Sequence, residues 1–156
     1  MIYALEFSFY FLHKECSVMR RLVFSVFATL ALSSVQADEL TSFPQVANAV
    51  AKGKSIHFVF HLNQCTADYT LPRNVVSVKP NAVLLMGNSK ITASDRHFTM
   101  DEPAYKGVPI YSYAKMNLDA EGHGSLRVDI MHAENYALIT SHMFQCPFGK
   151  GMKIYS

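Results

Sequence analysis

The sequence has no marked surplus of either charge: 14 Lys+Arg stand against 12 Asp+Glu. It therefore lacks the basic stripe that phosphate-backbone binding requires, and nucleic acid is excluded as a partner. No uncharged apolar run reaches the ~20 residues of a bilayer-spanning helix. There is no H-E-x-x-H, no C-x-x-C and no acidic calcium loop, and none of the local nucleophile signatures of hydrolases. Repeats, low-complexity stretches and Pro/Gly/Ser linkers are also missing, which leaves one domain. Hydrophobic residues are plentiful, at 50% of the 156 positions, so disorder of the whole chain is excluded.

The N-terminal part reads as an address. Met19-Arg20-Arg21 precedes Leu22 to Leu32 (LVFSVFATLAL), an uncharged run of eleven residues. Small residues follow at Val35 and Ala37. A positive n-region, an apolar h-region of ~7–15 residues and small side chains at −3 and −1 define a secretory signal peptide. The expected cut lies between Ala37 and Asp38, making residues 1–37 a leader with its core at 19–37. Met19 is itself a plausible start, so Met1 and Met19 stay open as alternatives. The expected product is exported, periplasmic or secreted. With Asp38 rather than a cysteine after the cut, no lipid anchor and no stable membrane attachment are expected.

Removing the leader takes away three basic and two acidic side chains and leaves 119 residues with a net charge of +1. It also removes Cys16, leaving Cys65 and Cys146. In an oxidising compartment two cysteines of a monomer have one way to pair. Closing a loop of about 80 residues is worth roughly 4.5 kcal/mol in the chain-entropy description.

Within residues 38–156, Ser42-Phe43-Pro44-Gln45 opens a short helix. Ser42 caps, Gln45 completes a capping box, and Pro44 is tolerated in the first turn. Phe43, Val46, Ala47 and Val50 mark its apolar face, and Gly53 ends it. Strand-like segments follow at Ile56–Leu62, Val75–Val78, Asn81–Met86, Lys90–Ala93 and Arg96–Met100. Others are Pro109–Leu118, Gly124–His132, Tyr136–Cys146 and Met152–Tyr155. The turn-rich Asp119 to His123 reads as a hairpin. The fold class is mainly β (α+β): an antiparallel sheet closed as a small barrel or folded as a sandwich, with one short N-terminal helix.

Chemistry is sparse. Six histidines follow the leader, at His57, His61, His97, His123, His132 and His142. His57 and His61 share a strand face, but four strand residues span about 13 Å, too far for one ion. Ser94, Asp95 and His97 suggest a nucleophile and base, yet a Ser-Asp pair more often marks a strand-end turn. Gly149-Lys150-Gly151 has no helix after it and so lacks phosphate-cradle geometry; it reads as a hairpin turn. The faces His57/Val59/His61 and Phe58/Phe60/Leu62 could line a small cavity, with core packing the default. No catalytic, cofactor-binding or metal-ligating residue is assigned, and no cofactor is expected.

Taken in order, several segments resemble the VirK family of exported bacterial proteins. They are Leu62-Asn63-Gln64-Cys65-Thr66, Ser94-Asp95-Arg96-His97-Phe98-Thr99, Gly107-Val108-Pro109-Ile110-Tyr111 leading into the Asp119–Gly124 hairpin, and Gln145-Cys146-Pro147-Phe148-Gly149 with Lys153-Ile154-Tyr155. His61 stands where an acidic residue often precedes the leucine of the first cysteine segment. The resemblance implies export and association with a host; it transfers no catalytic residue. Asp95, Arg96 and His97 form the candidate functional segment. The expected function is an exported, non-enzymatic β-domain that binds a partner protein or small-molecule ligand and contributes to virulence or host interaction. Two alternatives are a small hydrolase or metal-dependent enzyme using His97 with Asp95, and a periplasmic structural or chaperone-like protein.

Overall fold

A computed structural model describes residues 37–156 except 69, 70 and 72; the leader read at residues 1–37 lies, but for Ala37, outside the described residues. The helix α1, Phe43–Ala51, starts as its sequence demands. Gln45 Oε1 accepts the backbone N–H groups of Thr41 (2.8 Å) and Ser42 (3.2 Å), two donors a helix start would otherwise leave open. Phe43, Val46 and Ala49 are buried, while Ala47 and Val50 pack at the margin of the core. Gly53, at φ +69°, supplies the left-handed exit.

Among the described residues, nine strands follow the alternation of apolar and polar residues. They are β1 (Glu39–Leu40), β2 (His57–His61), β3 (Val75–Val78), β4 (Ala82–Met86), β5 (Lys90–Thr99), β6 (Ile110–Asp119), β7 (Gly124–His132), β8 (Leu138–Gln145) and β9 (Met152–Tyr155). They make two antiparallel sheets, one ordered β1-β9-β2-β3 and the other a meander from β4 to β8. Phe58 and Phe60 of β2 with Met152 and Ile154 of β9 face Ile91 of β5, Met116 and Leu118 of β6, Leu126 of β7 and Phe144 of β8 in one buried cluster. Burying each such side chain contributes roughly 1.5–3 kcal/mol. Of the two closures open from sequence, the sheets adopt the sandwich type; among the described residues no strand ladder joins them into a barrel.

Four local expectations are corrected. Lys90–Ala93 and Arg96–Met100 are a single strand, because β6 pairs with it without interruption from Lys90↔Asp119 to Thr99↔Ile110. Ser94-Asp95 is thus mid-strand rather than a turn; a continuous ladder outweighs local turn preference. Leu62 leaves β2 for a short 3₁₀ turn, Leu62–Gln64, and β1 is an additional two-residue strand. Gly149–Gly151 turns the chain from β8 in one sheet to β9 in the other, so it is not a hairpin between paired strands.

Cys65, just past the 3₁₀ turn, is bonded to Cys146, just past β8, with Cα atoms 4.3 Å apart. The bond therefore staples one sheet to the other. Beside it, Thr66 and Gln145 exchange backbone hydrogen bonds of 2.8 and 2.9 Å. Gly124 and Gly151 let the crossing close: a Cβ on Gly151 would lie 3.0 Å from Cys65 Sγ, and one on Gly124 would strike the carbonyl of Cys146.

Candidate functional site

One face of the meander packs on the core, so alternation sends every second residue to the opposite, outer face. Register arranges these residues in rows across the strands. One row runs Arg96, Tyr113, Asp129, Ser141; the next outward runs Phe98, Tyr111, Met131, Leu138. On the other side lies Ser94, Lys115, Arg127, Met143.

The outermost row makes an aromatic platform. The rings of Tyr111 and Tyr136 stack with centroids 5.5 Å apart and planes 8° from parallel, and Phe98 meets Tyr111 edge-on at 5.9 Å. The guanidinium of Arg96 lies over both tyrosines, 4.8 Å from Tyr111 and 5.8 Å from Tyr136. Such contacts are worth roughly 0.5–1 kcal/mol at exposed positions. Phe98, Tyr136 and Leu138 are each more than half exposed.

Tyr136 holds its place against a backbone cost. Its φ is +59°, left-handed backbone that a bulky side chain adopts at about 1–2 kcal/mol. The turn fixes it there: Tyr136 N–H bonds the carbonyl of His132 (3.0 Å), His132 N–H bonds that of Ala137 (2.9 Å), and Asn135 Oδ1 accepts the N–H of Ala137 (2.9 Å). Glycine would meet the same geometry without strain. The tyrosine exchanges that ease for an exposed ring stacked under a cation.

The candidate segment divides. Arg96 enters the platform, whereas Asp95 and His97 take the alternate positions on β5. Asp95 Oδ1 accepts a hydrogen bond from Asn81 Nδ2, and exposed His97 pairs in register with Ser112. Among the described residues no hydrogen bond or ion pair joins Asp95 to His97, and Ser94 lies on the face of Arg96. Of the two strand faces considered for a cavity, Phe58, Phe60 and Leu62 are core, while His57, Val59 and His61 are half-buried.

Two further groupings went unread in the sequence. Buried Asp129 accepts the hydroxyl of Ser141 at 2.6 Å, and its other oxygen lies 3.1 Å from Arg127 Nε. At the β6–β7 hairpin, Asp119, Glu121 and His123 bring ligand atoms within 4.8 Å of one another, a set able to hold a cation. The signal was the alternating Asp-x-Glu-x-His, hidden in what reads simply as a turn. Desolvation works to raise the pKa of Asp119, but the backbone N–H and the imidazole of His123, at 2.8 and 2.9 Å, bring it below its ordinary value. At the opposite sheet's edge, the hydrogen bond from Lys153 to Glu39 raises the lysine's pKa.

The profile of the VirK family, described as "VirK protein", matches residues 39–136. The chain belongs to the VirK family. A solved VirK family protein, lpg1832 from Legionella pneumophila, is 42% identical; the match covers 76% of this chain and 98% of that one with a TM-score of 0.73. The "Uncharacterized protein y4wH" of Sinorhizobium fredii (strain NBRC 101917 / NGR234) is 23% identical over 135 residues, 84% of this chain and 91% of that protein. Within this VirK chain the matched stretch contains Arg96, Phe98 and Tyr111 and ends on Tyr136; Cys146 and β9 lie beyond it.

Proposed function

We propose that this VirK-family protein is an exported, non-enzymatic binding domain that docks an acidic, partly apolar segment of another protein on the platform of Arg96, Phe98, Tyr111 and Tyr136. The observation that carries the reading is the strained, exposed Tyr136 stacked beneath Arg96. Unfavourable backbone conformations persist where the ring's position matters, and they cluster at functional sites. The rings keep the guanidinium over the platform, 4.8 and 5.8 Å from their centroids, where its N–H fork can meet a carboxylate. Phe98 and Leu138 offer apolar contact beside it. Export is supported by the leader features of residues 19–37 and by a disulfide, a bond that persists in oxidising compartments. A part in host interaction is supported by the family resemblance.

The test is selection from a displayed peptide library on the purified protein. Selected peptides should pair Asp or Glu with aromatic or aliphatic residues. Arg96→Ala and Tyr136→Gly should each weaken them at least tenfold, equivalent to about 1.4 kcal/mol. Because glycine relaxes the turn, Tyr136→Gly should remain folded. Peptides without acidic residues, or equal affinity for Arg96→Ala, would overturn the reading.

A further inference from the structure

A second feature of the same outer face adjoins the platform, between β4, β5 and β6, where Tyr113 pairs in register with Arg96. A depression of about 240 Å³ is lined by Leu84, Thr92, Ser94, Tyr113 and Lys115, with Ala82, Val83 and Ala93 completing its wall. This is just under the ~300–1,000 Å³ of drug-sized pockets, so its occupant is small. Ala82 and Leu84 give the lining its aliphatic part, Thr92, Ser94 and Tyr113 bring hydroxyl groups, and Lys115, a half-buried residue, brings a cation.

The placement of that ammonium is unfavourable for the sheet alone. Lys115 and Arg127 are direct cross-strand partners in β6 and β7. Like charges directly opposite one another destabilise a strand pair. Asp129 engages Arg127, at 3.1 Å from its Nε, and its second oxygen is taken by Ser141. Lys115 forms no ion pair among the described residues.

We propose that the depression is a binding site for a short aliphatic monocarboxylate, its carboxylate on Lys115 and the hydroxyls of Ser94 and Tyr113, its chain along Ala82 and Leu84. An anion there would give Lys115 the counter-charge that Asp129 already gives Arg127. One cation with hydroxyl donors suits a single negative charge. A phosphate dianion would call for a second committed cation, and Arg127 already serves Asp129. The site shares no residue with the Arg96 platform, so the two stand or fall separately.

The experiment is a titration of the ¹⁵N-labelled protein with sodium hexanoate, followed by amide shifts, with hexanol as the uncharged control. Shifts should concentrate at Leu84, Thr92, Ser94, Tyr113 and Lys115, and hexanol should bind at least tenfold more weakly. Lys115→Met should cut hexanoate affinity at least tenfold while raising the melting temperature, a pairing that a merely structural lysine would not produce. The site is refuted if hexanoate causes no localised shifts, if hexanol binds equally well, or if Lys115→Met binds hexanoate like the parent.

Discussion

Reducing the Cys65–Cys146 bond is the sharpest test of how the two sheets are held together. The cysteines are 81 residues apart in sequence, so the bond removes from the unfolded chain the freedom of a loop spanning most of the domain. The loop-entropy relation puts this at about 4.5 kcal/mol. Total stabilities of single domains are ~5–15 kcal/mol, so the share is large. Reduction is a cleaner perturbation than substitution, because both cysteines are buried and Cys65→Ala with Cys146→Ala would add a cavity cost. With a urea m-value of about 1.5 kcal/mol/M, the loss corresponds to a midpoint lower by about 3 M. Equilibrium urea unfolding with and without a phosphine reductant, with thiols counted by mass after alkylation, gives the comparison. An identical midpoint after confirmed reduction would refute the entropic argument. Two free thiols in protein isolated under oxidising conditions would refute the pairing itself.

Gly124→Ala should destabilise the fold by at least ~2 kcal/mol in the same assay. Its Cβ would meet the Cys146 carbonyl, which cannot swing aside, and Met152 Cε at 2.7 Å. His123→Ala should raise the pKa of Asp119 toward the ordinary carboxylate value in a ¹³C-detected titration. Because Asp119 is depressed in the folded state, its contribution is present above the unfolded carboxylate pKa and lost as pH falls through the folded one. The backbone N–H of residue 123 remains in this variant, so an unchanged titration would remove the His123 imidazole as a cause. N-terminal sequencing of protein from the envelope or medium should begin at Asp38, and a product retaining Leu22 to Leu32 would contradict the cleavage argument. Elemental analysis after dialysis against a weak chelator should find no stoichiometric zinc, while one tightly held equivalent would make Asp119, Glu121 and His123 a metal centre.

Strand content and helix α1 were legible because alternation and capping are local. Phe58 and Phe60 announce a buried face, and Gln45 announces a helix start. Which strands pair is not local, and alternation reports only which side is buried. That is why barrel and sandwich could not be separated from the sequence. Ser94-Asp95 misled for the same reason, since their turn preference yields to ten consecutive pairings with β6. The platform was half visible. Arg96 stood out within its segment, but the partners that give it meaning, Tyr111 and Tyr136, are 15 and 40 residues away. The left-handed backbone of Tyr136 leaves no mark in sequence, where a glycine would have.

The place of β9 governs when this protein can fold. Met152–Tyr155 lies between β1 and β2, so the four-stranded sheet has no centre until residues 152–155 have been made. The meander from β4 to β8 is finished earlier, but its apolar side, with Ile91, Met116 and Leu118, has no complete cover until Met152 and Ile154 arrive beside Phe58 and Phe60. A chain made only as far as β8 therefore lacks an inner strand of one sheet and part of the cover of the other. The two sheets can close over one core only when β9 docks between β1 and β2.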